Sequence, residues 1–154
     1  MTITLRSVGI VRNQRHDLSD DDWGAVASVI VLDDGVPEES LVGLEDFSHV
    51  EVLYLFDRVT EESIEHAARH PRGNTAWPLV GIFAQRGKNR PNRLGASIAR
   101  IVKREDRCLH VLGLDAVNGT PVLDLKPVMA EFLPREPVRQ PQWSVELMRE
   151  YWDR

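Results

Sequence analysis

The sequence predicts a mainly β fold, a barrel or a sandwich, with a few short helices. Short runs rich in apolar and β-branched residues recur along most of the chain, turn formers separate them, and an Asn-Gly pair sits where a hairpin tip would fall. At 154 residues and 17.5 kDa the chain is long enough to bury a core as one domain.

The strand-like runs are Leu5–Val11, Val26–Leu32, Val50–Phe56, Leu79–Ala84, Ser97–Val102 and Cys108–Leu114. Asn118-Gly119 tolerates the positive φ of a two-residue type I′ turn, which predicts a hairpin joining Leu109–Leu114 to Val122–Leu125. Between Thr60 and His70 the spacing predicts a helix, with Thr60 as its cap and Ile64, Ala67 and Ala68 as a narrow apolar stripe. A helical turn is expected from Pro37 to Val42. Residues 1–133 read as the β domain. Pro134, Pro137 and Pro141 then mark an extended connector within 134–154. It leads to a terminal helix, Ser144–Trp152, that packs on the body or on a partner subunit.

Hydrophobic content of 42% and charged content of 28% exclude wholesale disorder. The single cysteine, Cys108, excludes an internal disulfide and a multi-cysteine metal cluster, so no metal centre is expected. No apolar stretch approaches the roughly 18 residues that span a bilayer, and residues 1–15 lack a signal-peptide core. The expectation is a cytoplasmic protein with no membrane partner.

Net charge is -5, but it is unevenly spread. Arg86, Lys88, Arg90, Arg93, Arg100, Lys103, Arg104 and Arg107 lie in one segment opposed only by Glu105 and Asp106, while the rest of the chain is acidic. Such a segment is either a solvated face or a surface for anions.

Several site patterns fail. Gly81–Lys88 is one residue too long for a phosphate loop, and Asn89 stands where that loop needs Ser or Thr. No G-x-G-x-x-G follows a strand, so a dinucleotide fold has no anchor. His66 and His70 have helical zinc spacing, but Ala67 replaces the Glu of a zinc protease. Cys108 lies in a strand pattern beside Leu109, where an inert buried thiol is the usual case.

What remains is Phe83-Ala84-Gln85-Arg86-Gly87-Lys88-Asn89-Arg90-Pro91-Asn92-Arg93-Leu94-Gly95, a strand end followed by a cationic loop stiffened by Gly87, Pro91 and Gly95. The Arg fork suits carboxylates and phosphates. Together with Gly43–Val50, Leu55-Phe56-Asp57-Arg58 and Leu112–Pro127, this loop resembles the TsaA-like (TrmO) family, from about Ser7 to Pro127.

The resemblance implies a small β-barrel that binds S-adenosylmethionine without a dinucleotide fold, as a homodimer with the ligand near the subunit interface. It implies methyl transfer to the exocyclic amine of threonylcarbamoyladenosine in tRNA. By motif position it assigns Asp57, Arg58, Arg86, Ala96, Asp115, Ala116, Val117 and Asn118 to the cofactor. Arg90, Asn92 and Arg93 go to the acceptor, and no catalytic base is assigned. In this chain Gly87-Lys88-Asn89 replaces the family's Ser-Pro before the second Arg, and Arg93 replaces a Pro after Asn92. The separate C-terminal region of longer tRNA-modifying members is also expected to be missing. Two other readings therefore stand beside tRNA: a small-molecule acceptor, and a module that binds the cofactor without transferring methyl. Lys103 and Arg104 are expected to bind a polyanionic acceptor, if there is one.

Overall fold

A computed structural model describes residues 1–153. Strands β1 (Gly9–Arg12), β2 (Ala27–Leu32) and β3 (His49–Leu55) are followed by the minor strands β4 (Ala68–Arg69) and β5 (Val80–Gly81). Then come β6 (Leu94–Glu105), β7 (Cys108–Leu112), β8 (Pro121–Pro127) and one α-helix, α1 (Gln142–Leu147). Six strands close into an antiparallel barrel in the order β1-β2-β7-β6-β3-β8, while β4 and β5 pair separately. Closure leaves the main sheet without a free edge. Among the described residues no helix is long and apolar enough to cross a membrane.

Period-2 alternation builds the core. In β3, Val50, Val52 and Tyr54 point inward and are buried, whereas Glu51, Leu53 and Leu55 face outward. They meet Val11, Ile30, Ala99, Leu109, Val111 and Val122 from the surrounding strands. Full burial of each Val, Leu or Ile contributes about 1.5–3 kcal/mol, which makes this interior the main stabilising element.

The barrel resolves the choice between barrel and sandwich, and other expectations change. No helix forms over Thr60–His70: a 3-10 turn at Glu61–Ser63 gives way to β4, which pairs with β5 in the register Ala68↔Gly81. The stripe offered by Ile64, Ala67 and Ala68 is too small to drive helix packing, and Pro71 biases His70 toward extended backbone. The strand expected over Leu79–Ala84 shrinks to Val80–Gly81 before a 3-10 turn at Ile82–Ala84.

Nor do the Asn118-Gly119 flanks form a hairpin. β7 pairs with β2 and β6, and β8 with β1 and β3. Gly119 has φ of 89° and its N–H donates to the Val11 carbonyl, so the turn is tied to β1 instead. The two-residue hairpin lies at Asp106-Arg107, between paired Glu105 and Cys108, with Asp106 at φ of 49°. Asp is among the residues that tolerate this region.

The Pro37–Val42 turn is present as a 3-10 turn at Glu38–Leu41. At the other end of the chain, α1 begins after Pro141, two residues before the expected cap. Ser144 lies inside it, donating its hydroxyl to the Pro141 carbonyl.

Candidate functional site

One end of the barrel opens into a cleft of about 1440 Å³. Its walls are the start of β6 (Ala96, Ile98), the end of β3 (Tyr54, Phe56), the loop 83–92, the segment 115–120 and the C-terminal segment including Trp143, Leu147 and Tyr151. Small-ligand pockets usually measure about 300–1,000 Å³, so this cleft has room for a cofactor and part of an acceptor. A smaller pocket of about 390 Å³, lined by Val36, Leu41, Phe47 and Pro127 among others, has Asp124 as its only charged residue.

Strand pairing positions the centre of the cleft. Tyr54 lies opposite Gly95, and a Cβ at Gly95 would collide with the tyrosine ring, so glycine makes space for Tyr54 to lie flat against β6. Beside this pair the β3–β8 register slips, Leu53 facing Asp124 and Tyr54 facing Val122. Irregular pairing of this kind re-aims side chains at barrel rims.

Tyr54 is buried, and its hydroxyl donates to Asp115 Oδ1 at 2.8 Å. Tyr151, from the C-terminal end, donates to Oδ2 at 2.6 Å. These are the only two tyrosines in the chain, and both end on one carboxylate. Burial, followed by the Asp115 charge, pushes both phenols far above the ordinary tyrosine value. Both therefore stay protonated donors at neutral pH.

The cationic loop lines the same cleft. Arg86 is exposed and donates through Nη2 to the Ala96 carbonyl, which joins two of the predicted cofactor residues. Arg90 Nη1 donates to the Gln85 carbonyl at 2.7 Å. Gln85 is itself buried and holds the loop base through the Arg69 and Val80 carbonyls at 3.1 and 3.0 Å. Lys88 and Arg72 are offset by acids: Lys88 Nζ lies 3.8 Å from Asp20, and Arg72 makes a two-pronged pair with Asp21 at 3.0 and 2.8 Å. Among the described residues Arg58, Arg69, Arg86 and Arg90 have no carboxylate partner. One wall is thus cationic while Asp115 stands on another.

The remaining sequence-predicted residues divide. Asp57 and Arg58 lie on the rim at the end of β3, but Arg58 spends its guanidinium on the His16 and Asn118 carbonyls at 2.9 and 2.8 Å. Ala116 and Val117 are buried and line the cleft. Asn118 lies outside the lining, its Oδ1 accepting from the Asn13 N–H at 3.1 Å. Asn92 lines the cleft with φ of 62°, whereas Arg93 turns away to the Val59 carbonyl at 2.7 Å and to Glu61 at 3.5 Å. A positive φ of 52° at Arg93 follows directly on Asn92 and costs of order 1–3 kcal/mol.

The basic segment is not one surface. β6 is 12 residues long, and from Ala96, where Arg86 bonds, to Lys103 it carries the chain up to about 23 Å at ~3.3 Å per residue. At the far end Lys103 Nζ meets Glu105 at 2.8 Å and Arg104 Nε meets Glu45 at 3.1 Å. These two residues are ion-paired away from the cleft, so they do not extend it as a polyanion surface. Sequence reasoning missed Tyr54, Tyr151, Arg69 and Gln85. Two tyrosines in 154 residues, one on the inward face of an alternating strand, were the available signal.

Comparison with known proteins follows the same outline. A family model described as tRNA-methyltransferase O N-terminal domain matches residues 21–132. The chain is 40% identical over 105 residues to a Homo sapiens tRNA (adenine(37)-N6)-methyltransferase, covering 68% of this chain and 23% of that protein. It is 32% identical over 150 residues to a Pyrococcus abyssi protein named "Probable S-adenosyl-L-methionine-binding protein", covering 90% of this chain and 75% of that one. The crystal structure of TrmO from Pseudomonas aeruginosa superposes with a TM-score of 0.73 at 28% identity, over 90% of this chain and 61% of that one. The chain therefore spans under a quarter of its human relative.

Proposed function

The chain belongs to the family of tRNA-methyltransferase O N-terminal domains, and from that premise we propose that it is an S-adenosylmethionine-dependent methyltransferase acting on N6 of adenosine 37 in tRNA. The favoured acceptor is the exocyclic amine of threonylcarbamoyladenosine. The single observation that carries the reading is the cleft, whose lining brings together a cationic loop led by Arg86, the Asp115 carboxylate and apolar side chains.

The cleft fits the cofactor chemically. Arg86 has guanidinium N–H groups beyond the one bound to Ala96 and suits the methionine carboxylate. Asp115 offers acceptors for ribose hydroxyls or for a cationic centre. Phe56, Phe83, Ala96 and Met148 provide apolar lining for the adenine. When bound, S-adenosylmethionine supplies an electrophilic methyl carbon on a sulfonium.

The chain's own contribution is placement. In-line attack by a nitrogen needs the reacting atoms held close and aligned, which needs no covalent help from a side chain. Walls built on paired strands and on the Gln85-braced loop keep that placement rigid. Arg90 and Asn92, on the same loop, are assigned to the acceptor. Arg93, turned to Val59 and Glu61, is reassigned to bracing the loop.

A homodimer is part of the proposal. Leu94 and Ile98, 40 and 43% exposed at the edge of the cleft lining, offer apolar surface suited to a second copy. So is the division into a barrel domain, 1–133, and an appended segment, 134–154. A small-molecule acceptor is the second reading, favoured by the ion pairing of Lys103 and Arg104 away from the cleft.

Calorimetry tests the cofactor and labelled methyl transfer tests the acceptor. Binding of S-adenosylmethionine, with label passing at catalytic turnover into tRNA that lacks the N6 methyl group, is the expected result. Absence of binding at millimolar ligand defeats the proposal. Label confined to small molecules transfers it to the second reading, and binding without turnover of any acceptor makes the protein a cofactor-binding module.

A further inference from the structure

We infer that Tyr151 is a positioning residue for the ligand: it orients the Asp115 carboxylate so that each oxygen keeps one lone pair as a paired acceptor for the two vicinal hydroxyls of a ribose. This rests on the proposed cofactor reading, and it assigns a role to a residue outside the segment 21–132 that matches the family.

An ionised carboxylate offers about four lone-pair positions. The Tyr54 hydroxyl takes one on Oδ1 at 2.8 Å, and the Tyr151 hydroxyl takes one on Oδ2 at 2.6 Å. With one donor on each oxygen the carboxylate plane is set, and one site remains on each side. Tyr54 alone would fix one oxygen and leave the other free to swing. Asp115 lines the cleft, so its remaining sites are within reach of a ligand there.

Tyr151 is built to hold that position. Its carbonyl accepts the Trp23 N–H at 2.8 Å, and the neighbouring Glu150 carbonyl accepts the Asp22 N–H at 3.1 Å. Trp23 is buried, so the C-terminal backbone is tied to a fixed part of the body. The Tyr151 ring packs edge-on against Trp152 with centroids 4.9 Å apart. Further up the segment, Trp77 Nε1 donates to Glu146 Oε2 at 2.9 Å. Both phenols remain protonated at neutral pH, which keeps them donors to the carboxylate.

The test is a ligand–mutant cycle by calorimetry on the full chain. It uses S-adenosylhomocysteine and its 2′-deoxy analogue, with wild type and Tyr151→Phe. Phe keeps the ring packing and deletes only the hydroxyl. Tyr151→Phe is expected to weaken S-adenosylhomocysteine about tenfold, because an unfixed carboxylate no longer presents both oxygens to the diol, and the 2′-deoxy analogue no more than about twofold. Asp115→Asn is expected to erase the wild-type preference for the full ribose. Equal losses on both ligands, or none, show that Tyr151 only packs and overturn the inference while the cofactor reading stands. A wild type that binds neither ligand at millimolar concentration removes both.

Discussion

Replacing Gly95 with alanine tests the strand pairing on which the cleft depends. Gly95 is buried opposite Tyr54, and the new methyl would run into Cε2, Cζ and Cδ2 of a ring that is 1% exposed. Neither side yields cheaply: the methyl sits on the β6 backbone, and the ring is held by its bond to Asp115 and by edge-on packing against Phe56 at 5.4 Å. Overpacking of this kind costs about 1–3 kcal/mol. If the ring is displaced, the hydroxyl bond to a charged acceptor is lost as well, about 1.5–3 kcal/mol more. The total, roughly 2.5–6 kcal/mol, is a large share of the 5–15 kcal/mol that holds a domain together. At ~2–4 °C per kcal/mol for a chain of this size, Tm falls by at least about 5 °C.

Thermal melts followed by circular dichroism measure that shift, and urea unfolding gives the free energy. A double-mutant cycle isolates the cause. Tyr54→Leu removes the obstructing ring, so Gly95→Ala in that background should cost less than about 1 kcal/mol more. An unchanged Tm for Gly95→Ala alone, or strict additivity of the two substitutions, would refute the steric argument.

Arg86→Ala should weaken S-adenosylmethionine at least tenfold by calorimetry while leaving Tm within about 2 °C, because the side chain is exposed and its loss opens no core cavity. Lys103→Ala and Arg104→Ala should leave cofactor and tRNA affinity within about twofold at any salt concentration, since both are paired with acids at the far end of β6; a reduced salt slope for tRNA binding would contradict this. Stability should decline at high pH. The folded values of Tyr54 and Tyr151 are raised, so their contribution is complete below the unfolded tyrosine value of about 10. It is lost as pH climbs beyond that, because the unfolded chain releases protons the folded one retains. Two such groups give up to about 2.7 kcal/mol per pH unit, and Tyr151→Phe should halve that tyrosine contribution. Urea unfolding from pH 9 upward reads the slope, and tyrosinate absorbance should rise only with unfolding. Early ionisation of either phenol in the folded protein would count against the two-tyrosine clamp.

The basic segment shows how far a linear reading reaches. Counting cations from Arg86 to Arg107 found a real excess of charge, but charge along a sequence becomes a surface only if the backbone folds it onto one face. Here β6 runs through the middle of the segment and carries Lys103 and Arg104 away from the cleft end of the barrel. Likewise, the sequence marks Asn118-Gly119 as a turn but not the strands it connects, because hairpin tendency is local and barrel closure is not.

Alternating apolar residues in β2, β3 and β7 determined by themselves that this chain makes a β fold with an inward face, since that pattern leaves only one way to bury the core. The motif loop and the segment from Asp115 to Pro121 likewise pointed to the family and to much of the cleft. Only the tertiary structure shows that Arg93 and Arg58 donate to backbone carbonyls, that Asn118 accepts from Asn13, and that Tyr54 and Tyr151 converge on Asp115 from 61 and 36 residues away. The physical reason is range: burial periodicity is written into neighbouring residues, whereas a hydrogen bond between distant ones exists only after the strands have chosen their partners.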